Sequence, residues 1–234
     1  MISHVHGCAF VHVPKTGGTS IELALTGHDW ITRSPEEYAV YLEERSRYND
    51  RFGGTLCEGD PDYFRKRLEE KHASQAALRA LLGEDRWRAY FKFVFVRNPW
   101  RRLLSIHAHG RRDAPQRMPE RFRVWLAEPE PVDHMGQPVF HQPVDRWEEF
   151  DFVGRFERIE SDFRLVAARL GISAEAAGLP HERHGSDGRH CLDRYDRPAR
   201  RRVAEFFAEE IERFGYRFDD DTERAEDPGS SEAA

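Results

Sequence analysis

The residue pattern best suited to chemistry lies near the N-terminus, where a short apolar run leads into a lysine, two glycines and two hydroxyl residues. The run Cys8–Val13 is followed by a loop whose members are Pro14, Lys15, Thr16, Gly17, Gly18, Thr19 and Ser20. Glycines let a backbone approach a ligand closely, amide groups at a helix start point outward, and a lysine adds a full positive charge. The pattern therefore predicts a site for a phosphate-type anion at Lys15 and Thr16–Ser20.

A second junction of the same kind follows the apolar run Tyr90–Val96. Arg97 comes directly after this run, and Asn98 and Pro99 supply a helix N-cap and a first-turn proline. Ser105 stands eight positions after Arg97, within the predicted helix. Two such junctions in one chain predict a ligand that carries phosphate groups at two ends.

The elements that must position these residues alternate between strands and helices. Largely apolar runs predict buried parallel strands at Cys8–Val13 and Tyr90–Val96, and a third short strand is expected at Phe152–Phe156. Helices are expected from Ile21, from Gln75 to Leu82 with Ser74 as N-cap and Gly83 as the stop, from Pro99 to about His109, from Ser161 or Asp162 to Leu170, and from Arg197 to Phe214. This order predicts an α/β fold with a mainly parallel sheet.

The length fits one domain over residues 1–218, followed by an acidic tail at 219–234 that we expect to be disordered. Seven acidic residues and one arginine follow Phe218, so the tail accounts for the net charge of -6. The remainder is electrically balanced, which argues against a nucleic-acid binder. Residues 111–150 are rich in proline and predict an irregular excursion, where Trp125 and Trp147 are either stacking surfaces or core.

The cellular setting is also constrained by composition. Three widely spaced cysteines argue against a disulfide framework and for a reducing compartment. No apolar run approaches the ~20 residues that span a bilayer, and the N-terminus lacks a signal pattern. We therefore expect a cytoplasmic protein with no membrane span, and the sequence does not indicate its oligomeric state.

The loop Pro-Lys-Thr-Gly-Gly-Thr-Ser resembles the 5′-phosphosulfate loop of sulfotransferases that use PAPS (3′-phosphoadenosine 5′-phosphosulfate). It differs from a Walker A sequence, because Lys15 precedes the glycines. The stretch Val96–Ser105 resembles the 3′-phosphate motif of that family, in which an arginine and a serine eight residues later bind the phosphate. Further blocks resemble the carbohydrate-type (type 2) members: Val153–Glu157 with Asp162-Phe163, Leu179–His181, and Val203–Tyr216.

This resemblance to a bacterial-looking, carbohydrate-type sulfotransferase implies a fold and a set of roles. The fold would be the P-loop-NTPase-like, three-layer α/β fold with a central, mainly parallel sheet flanked by helices. Lys15 and the stretch Thr16–Ser20 would bind the 5′-phosphosulfate, with Lys15 also acting in catalysis, and Arg97 and Ser105 would bind the 3′-phosphate. The acceptor would be a carbohydrate or glycolipid hydroxyl, with residues 111–150 on the acceptor side and PAP as the product.

The catalytic base is expected to be His72. An imidazole suits this role because its ordinary pKa lies near neutrality. The resemblance implies a histidine upstream of the Arg97 strand, where His72 stands, and Glu58 is a second candidate. No zinc-type ligand spacing occurs among the early histidines, so we expect no metal. The histidine- and arginine-rich loop at 178–194 is expected to lie near the cofactor, with no role assigned to its residues.

Two other functions remain open at this point. A nucleotide-dependent kinase or NTPase uses a similar strand–loop–helix grip on phosphate, but its lysine follows the glycines. A non-catalytic protein of the same fold could hold a nucleotide or a glycan without transferring a group. ATP hydrolysis with magnesium would indicate the first, and a function that does not depend on His72 would indicate the second.

Overall fold

The computed structural model describes residues 1–3, 6–26, 72–172, 179 and 189–219, which divide into two compact units. The first unit comprises the described parts of Met1–Phe95, Gln142–Gly154 and Glu160–Glu182. The second comprises those of Val96–His141, Arg155–Ile159 and Arg183–Ala234. The domain predicted over 1–218 stays a prediction, and the acidic tail after Asp219 lies outside the described residues.

Four strands of the described chain form one sheet in the order β1-β2-β3-β4: Ile2–Ser3, Cys8–Val11, Phe91–Val96 and Phe152–Arg155. The short β1 is antiparallel to β2. β2 runs parallel to β3, with Cys8 opposite Phe91 and Val11 opposite Val94, and β4 completes three parallel strands. All four residues of β2 are buried, which explains why this strand reads as a continuous apolar run. The α/β class expected from the sequence is confirmed.

Helices flank these strands, and none of those described is long and apolar enough to cross a membrane. The α-helices are α1 Gly18–Thr26, α2 Gln75–Leu82, α3 Glu84–Ala89, α4 Pro99–Asp113, α5 Phe122–Ala127, α6 Ile159–Arg169, α7 Arg197–Phe206 and α8 Ala208–Phe214. Short 3-10 turns occur at Pro115–Arg117, Trp147–Glu149, Phe156–Arg158 and Arg189–Arg194.

Two helices begin at caps that the sequence predicted. The Ser74 side chain accepts a hydrogen bond from the Ala77 amide at the start of α2, and Gly83 ends this helix with a φ of 73°. Asn98 caps α4, as expected, and Pro99 occupies its first turn. This helix runs to Asp113 rather than stopping near His109, because its polar last turn continues the hydrogen-bond ladder to the Ala114 amide.

Two predicted helix boundaries were wrong. α6 begins at Ile159, directly after a 3-10 turn, so Ser161 and Asp162 both lie inside the helix and neither serves as its cap. The single helix predicted over Arg197–Phe214 is interrupted at Phe207, whose φ and ψ of -98° and 27° leave the helical range. Phe207 is fully buried, so packing outweighs the continuous amphipathic pattern there.

Close packing in the first unit depends on a glycine of β4. Phe10 and Phe93, on neighbouring strands, stack at a centroid distance of 4.8 Å, and Phe93 meets Phe95 edge to face at 6.4 Å. A Cβ atom on Gly154 would lie 2.4 Å from the Phe95 ring. Only a residue without a side chain therefore fits against this ring, because core packing at this density leaves no room for a methyl group.

The two tryptophans of the excursion are core residues. Trp125 is 1% exposed, and its indole N–H donates to the Val132 carbonyl at 2.7 Å. Trp147 is 8% exposed. Of the two interpretations that the sequence left open, burial supports packing and excludes an exposed stacking surface.

A buried glutamine anchors the start of α2, three positions after the residue expected to be the base. The Gln75 amide donates to the Pro143 carbonyl at 2.8 Å. Its side-chain Nε2 donates to the Arg146 carbonyl at 2.9 Å, while its Oε1 accepts from the Asp145 and Arg146 amides. Since every polar group of this side chain is used, the glutamine holds the chain just after His72 in one place.

The second unit buries a histidine that the mechanism expected from the sequence does not use. His107 is 2% exposed, and its Nε2 donates to the Pro119 carbonyl at 2.8 Å. The Nδ1 atom is buried with no hydrogen-bond partner. Burial lowers the pKa of His107, the Pro119 carbonyl opposes this shift, and the charges of Arg194 and Arg111 add to it. The neutral imidazole is therefore the form that the fold accepts.

This burial makes stability depend on pH. Because the folded-state pKa of His107 is lowered, only the unfolded chain takes up a proton as the pH falls below about 6.5. The free energy of unfolding should fall between pH 7 and pH 5, and the fall should be smaller in His107→Gln. Urea unfolding at several pH values measures this.

His141→Gln is the matched comparison, because burial lowers the pKa of His141 as well. His141→Gln should also reduce the slope of the free energy of unfolding against pH, and the two reductions should add when both substitutions are combined. Parallel curves for the wild type and both variants would contradict the prediction.

Candidate functional site

The lysine loop connects β2 to α1 through an unusual backbone. Lys15 has a φ of 64° and Gly17 a φ of 82°. A side-chain-bearing residue in this region is strained by about 1–3 kcal/mol, so the surrounding structure must impose it. The Thr16 hydroxyl contributes, since it donates to the Val13 carbonyl at 2.8 Å and is fully buried. The Thr16 hydroxyl is therefore used within the loop.

The start of α1 favours an anion. The Ile21 amide donates to the Gly17 carbonyl at 3.2 Å, and this is the first bond of the helical ladder. The amides of Gly18 and Ser20 precede this first bond at the start of α1, where the helix dipole places positive potential. A phosphate or sulfate group fits this arrangement of donors.

The structure brings His72 to the base of this loop, although 60 positions separate it from its partner in the sequence. The His72 Nδ1 atom lies 2.9 Å from the His12 main-chain carbonyl. A carbonyl only accepts, so Nδ1 carries the proton and Nε2 is the basic nitrogen of the neutral ring. The rings of His12 and His72 meet edge to face at 4.5 Å. An imidazole oriented in this way is suited to remove a proton from a bound group.

Arg97 and Ser105, which the sequence singled out together, both belong to the second unit. Arg97 follows β3 directly and is 4% exposed, with its guanidinium group 4.0 Å from the centre of the Phe156 ring. This cation–π contact sets the direction of the side chain. Ser105 is half-buried in α4, about two turns from the N-cap. Arg101 lies one turn before it on the same helix face and is 3% exposed, a neighbour that the i, i+4 spacing could have indicated.

The backbone after Arg97 is held by a buried carboxylate. Glu157 accepts from the Asn98 amide at 2.7 Å and from the Tyr216 hydroxyl at 3.2 Å. The Asn98 side chain accepts from the Trp100 and Arg101 amides and donates to the Arg217 carbonyl. Burial, together with the nearby Glu157 charge, raises the pKa of Tyr216, so this hydroxyl stays a donor. The junction at Arg97 is thereby tied to the residues that follow α8.

Sequence reasoning missed two residues of the first unit that adjoin the loop. His12 was weighed only as part of the apolar strand or of a metal site, yet its Nδ1 lies 3.1 Å from Glu22 Oε1. Both side chains are almost fully buried. The available signal was an acidic residue within an otherwise apolar helix face, ten positions after a histidine.

Several expectations fall outside the described residues. These are the alternative base Glu58 and most of the loop at 178–194, including His181 and His184.

Metal-ligand side chains also meet in the described part of the chain. His109, Asp113 and His134 bring ligand atoms within 4.8 Å of one another, but the Arg112 guanidinium already donates to His109 Nδ1 at 2.6 Å. The expectation of no metal stays a prediction.

Comparison with known proteins gives a family match. The profile of a family described as the sulfotransferase family matches residues 1–217. A zebrafish (Danio rerio) protein named carbohydrate sulfotransferase 14 is 30% identical over 115 residues, which covers 37% of this chain. An uncharacterised protein of Archaeoglobus fulgidus is 25% identical over 99 residues, which covers 42% of this chain and 82% of that protein. No solved structure matches the chain.

The match to the zebrafish protein is partial. It spans 31% of the length of that relative. The likeness therefore concerns a segment of a longer protein.

Loss of the Glu157 carboxylate should destabilise the junction at Arg97. Glu157→Ala leaves the Asn98 amide and the Tyr216 hydroxyl buried without an acceptor, so the free energy of unfolding should fall by about 2–4 kcal/mol. Tyr216→Phe removes one of these bonds and should cost about 1 kcal/mol. Urea unfolding of both variants checks this. Equal costs for the two variants would show that the Asn98 amide does not depend on Glu157.

Proposed function

The chain belongs to the sulfotransferase family, and from this premise we propose that it moves a sulfuryl group from PAPS to a hydroxyl of a carbohydrate or glycoconjugate. The observation that carries the proposal is the loop between β2 and α1, where a strained lysine, a helix start and a positioned imidazole adjoin one another. Loops of this kind bind phosphate-type anions.

Each anion-binding role is assigned from the hydrogen-bond donors and the positive charge that the residues supply. Lys15 and the main-chain amides of Thr16–Ser20 bind the 5′-phosphosulfate. Arg97, with its planar guanidinium oriented by Phe156, and Ser105 bind the 3′-phosphate. The residues fit this ligand because both groups supply donors and positive charge, which a nucleotide with phosphates at two ends requires. PAPS supplies an activated sulfuryl group when bound.

The transfer step requires a base and a countercharge. Nε2 of His72 takes the proton of the acceptor hydroxyl, because Nδ1 is already committed to the His12 carbonyl. The acceptor oxygen forms a new bond to sulfur as the bond between sulfur and the 5′-phosphate oxygen breaks. Lys15 offsets the negative charge that develops on this leaving oxygen, and PAP is released.

The acceptor class rests on the relatives. The zebrafish relative is by name a carbohydrate sulfotransferase, and the match to it is a partial one. A carbohydrate or glycolipid hydroxyl is accordingly the acceptor that we propose. The odd number of cysteines and the buried Cys8 thiol support a cytoplasmic setting.

Binding of PAP tests the donor assignments. We expect the wild type to bind PAP with micromolar affinity in calorimetric titration. Lys15→Ala and Arg97→Ala should each weaken binding tenfold or more (roughly 1.4 kcal/mol) because each removes a charge from the phosphate site. Arg97→Lys should fall between the wild type and Arg97→Ala, since it keeps the charge and loses the planar fork.

Arg88→Ala is the matched control, because Arg88 is 77% exposed and lies in α3. It should leave the affinity unchanged. Binding of ATP with magnesium in preference to PAP would overturn the proposal in favour of a kinase or NTPase.

The role of His72 is tested by separating binding from transfer. His72→Gln should bind PAP within threefold of the wild type, yet lose transfer of ³⁵S-labelled sulfuryl from PAPS to a panel of unsulfated glycans by about 10²–10⁴-fold. Glu58→Gln serves as the comparison for the second candidate base. Unchanged transfer in His72→Gln, with loss in Glu58→Gln, would reassign the base. Transfer that survives both substitutions would remove the side-chain base from the scheme.

A further inference from the structure

We propose that the buried pair His12–Glu22 is the positioning element of this site, and that it fixes both the glycine loop and the orientation of His72. The inference rests on the proposed function and adds two residues that act through others. His12 and Glu22 are 3% and 2% exposed, with Nδ1 and Oε1 3.1 Å apart. Because His12 follows β2 and Glu22 lies in α1, this bond ties the strand end to the helix across the entire loop.

The first line of evidence is the close approach of His12 to Gly18. A Cβ atom on Gly18 would lie 2.0 Å from Cδ2 and 2.1 Å from Nε2 of the His12 ring. Gly17 needs to be glycine for its φ of 82°, but Gly18 lies in a helix and has no positive φ. The second glycine of the loop is therefore required by the volume of the His12 ring rather than by backbone conformation.

The second line of evidence is that His12 contacts His72 through both its main-chain carbonyl and its ring. The His12 carbonyl accepts from His72 Nδ1 at 2.9 Å, and the His12 ring packs against the His72 ring at 4.5 Å with an interplanar angle of 64°. His12 thus supplies both the acceptor that sets the His72 tautomer and a packed ring that limits rotation of the His72 side chain. A displacement of His12 is transmitted to the base.

Glu22 is the group that keeps His12 in this position. An imidazole and a carboxylate that are both excluded from water are stable only when they are paired, and removal of one partner leaves a buried polar group unsatisfied. A loss of stability alone would not separate positioning from packing. The test therefore needs measurements that report on the loop and on the His72 ring.

The loop is tested by a double-mutant cycle read by PAP titration. Gly18→Ala should weaken PAP binding at least tenfold, because its methyl group displaces the His12 ring. His12→Ala removes that ring, so Gly18→Ala should cost no more than about threefold in a His12→Ala background. If Gly18 is required only for approach of the phosphate, Gly18→Ala will cost at least tenfold in the His12→Ala background as well, and this result overturns the inference.

The His72 ring is tested without any ligand. The ¹⁵N shifts of the His72 imidazole, assigned by comparison with His72→Gln, should report a protonated Nδ1 in the wild type. Glu22→Leu should shift the tautomer balance and the titration midpoint of His72, and Glu22→Gln should restore both because its amide oxygen still accepts from His12. Glu205→Gln is the matched control, since Glu205 lies in an exposed pair with Arg201. Unchanged His72 signals in Glu22→Leu would overturn the inference.

These two arms separate the inference from the proposed function. A wild type that does not bind PAP contradicts the proposed function, while the ¹⁵N measurement still decides the inference. A wild type that binds PAP, together with an additive cycle, contradicts the inference alone. Should Gly18→Ala fail to fold, recovery of folding in the double variant supports the contact between Gly18 and His12, and the ¹⁵N shifts decide the role of the pair.

Discussion

The parallel pairing of β2 with β3 is the constraint on which the candidate site depends. With Cys8 opposite Phe91 and Val11 opposite Val94, both strands end at the same edge of the sheet. The lysine loop begins after β2, at the carboxyl end of a strand, which is where an open α/β sheet usually binds its ligand. Apart from Lys92, both strands are apolar on both faces, so burial alone specifies the register weakly. The close packing of Phe10 on Phe93 and of Gly154 on Phe95 adds contacts that fix this register.

The strain of the loop is offset by buried polar groups around it. A positive φ at Lys15 costs about 1–3 kcal/mol and is stable only if neighbouring bonds leave no relaxed alternative. The Thr16 hydroxyl closes the turn onto the Val13 carbonyl, and the bond between His12 and Glu22 closes the wider span from β2 to α1. Each of these polar groups is satisfied by another member of the same segment. The loop is therefore set before any ligand arrives, which reduces the entropy that binding must remove.

The sequence predicted what is local and missed what is long-range. The strands were predictable because parallel strands are buried on both faces, and the Ser74 and Asn98 caps because a cap bonds to amides two or three residues away. The pair His12–Glu22 was not predictable, since it depends on how α1 packs on β2. The break at Phe207 was missed for a similar reason: its burial outweighs a helical pattern that continues through it.

The orientation of His72 is what favours a transferase over a protein that only holds its ligand. Anion binding needs a lysine, a helix start and an arginine, and each contributes whether or not a reaction follows. A main-chain carbonyl that accepts from Nδ1 adds nothing to affinity for a phosphate, but it leaves Nε2 as the basic atom. A base of this kind removes a proton from a neutral hydroxyl at neutral pH. In the proposed scheme the tautomer of His72 carries the distinction between binding and transfer, and the acceptor that sets this tautomer is the main-chain carbonyl of His12, the residue that follows β2.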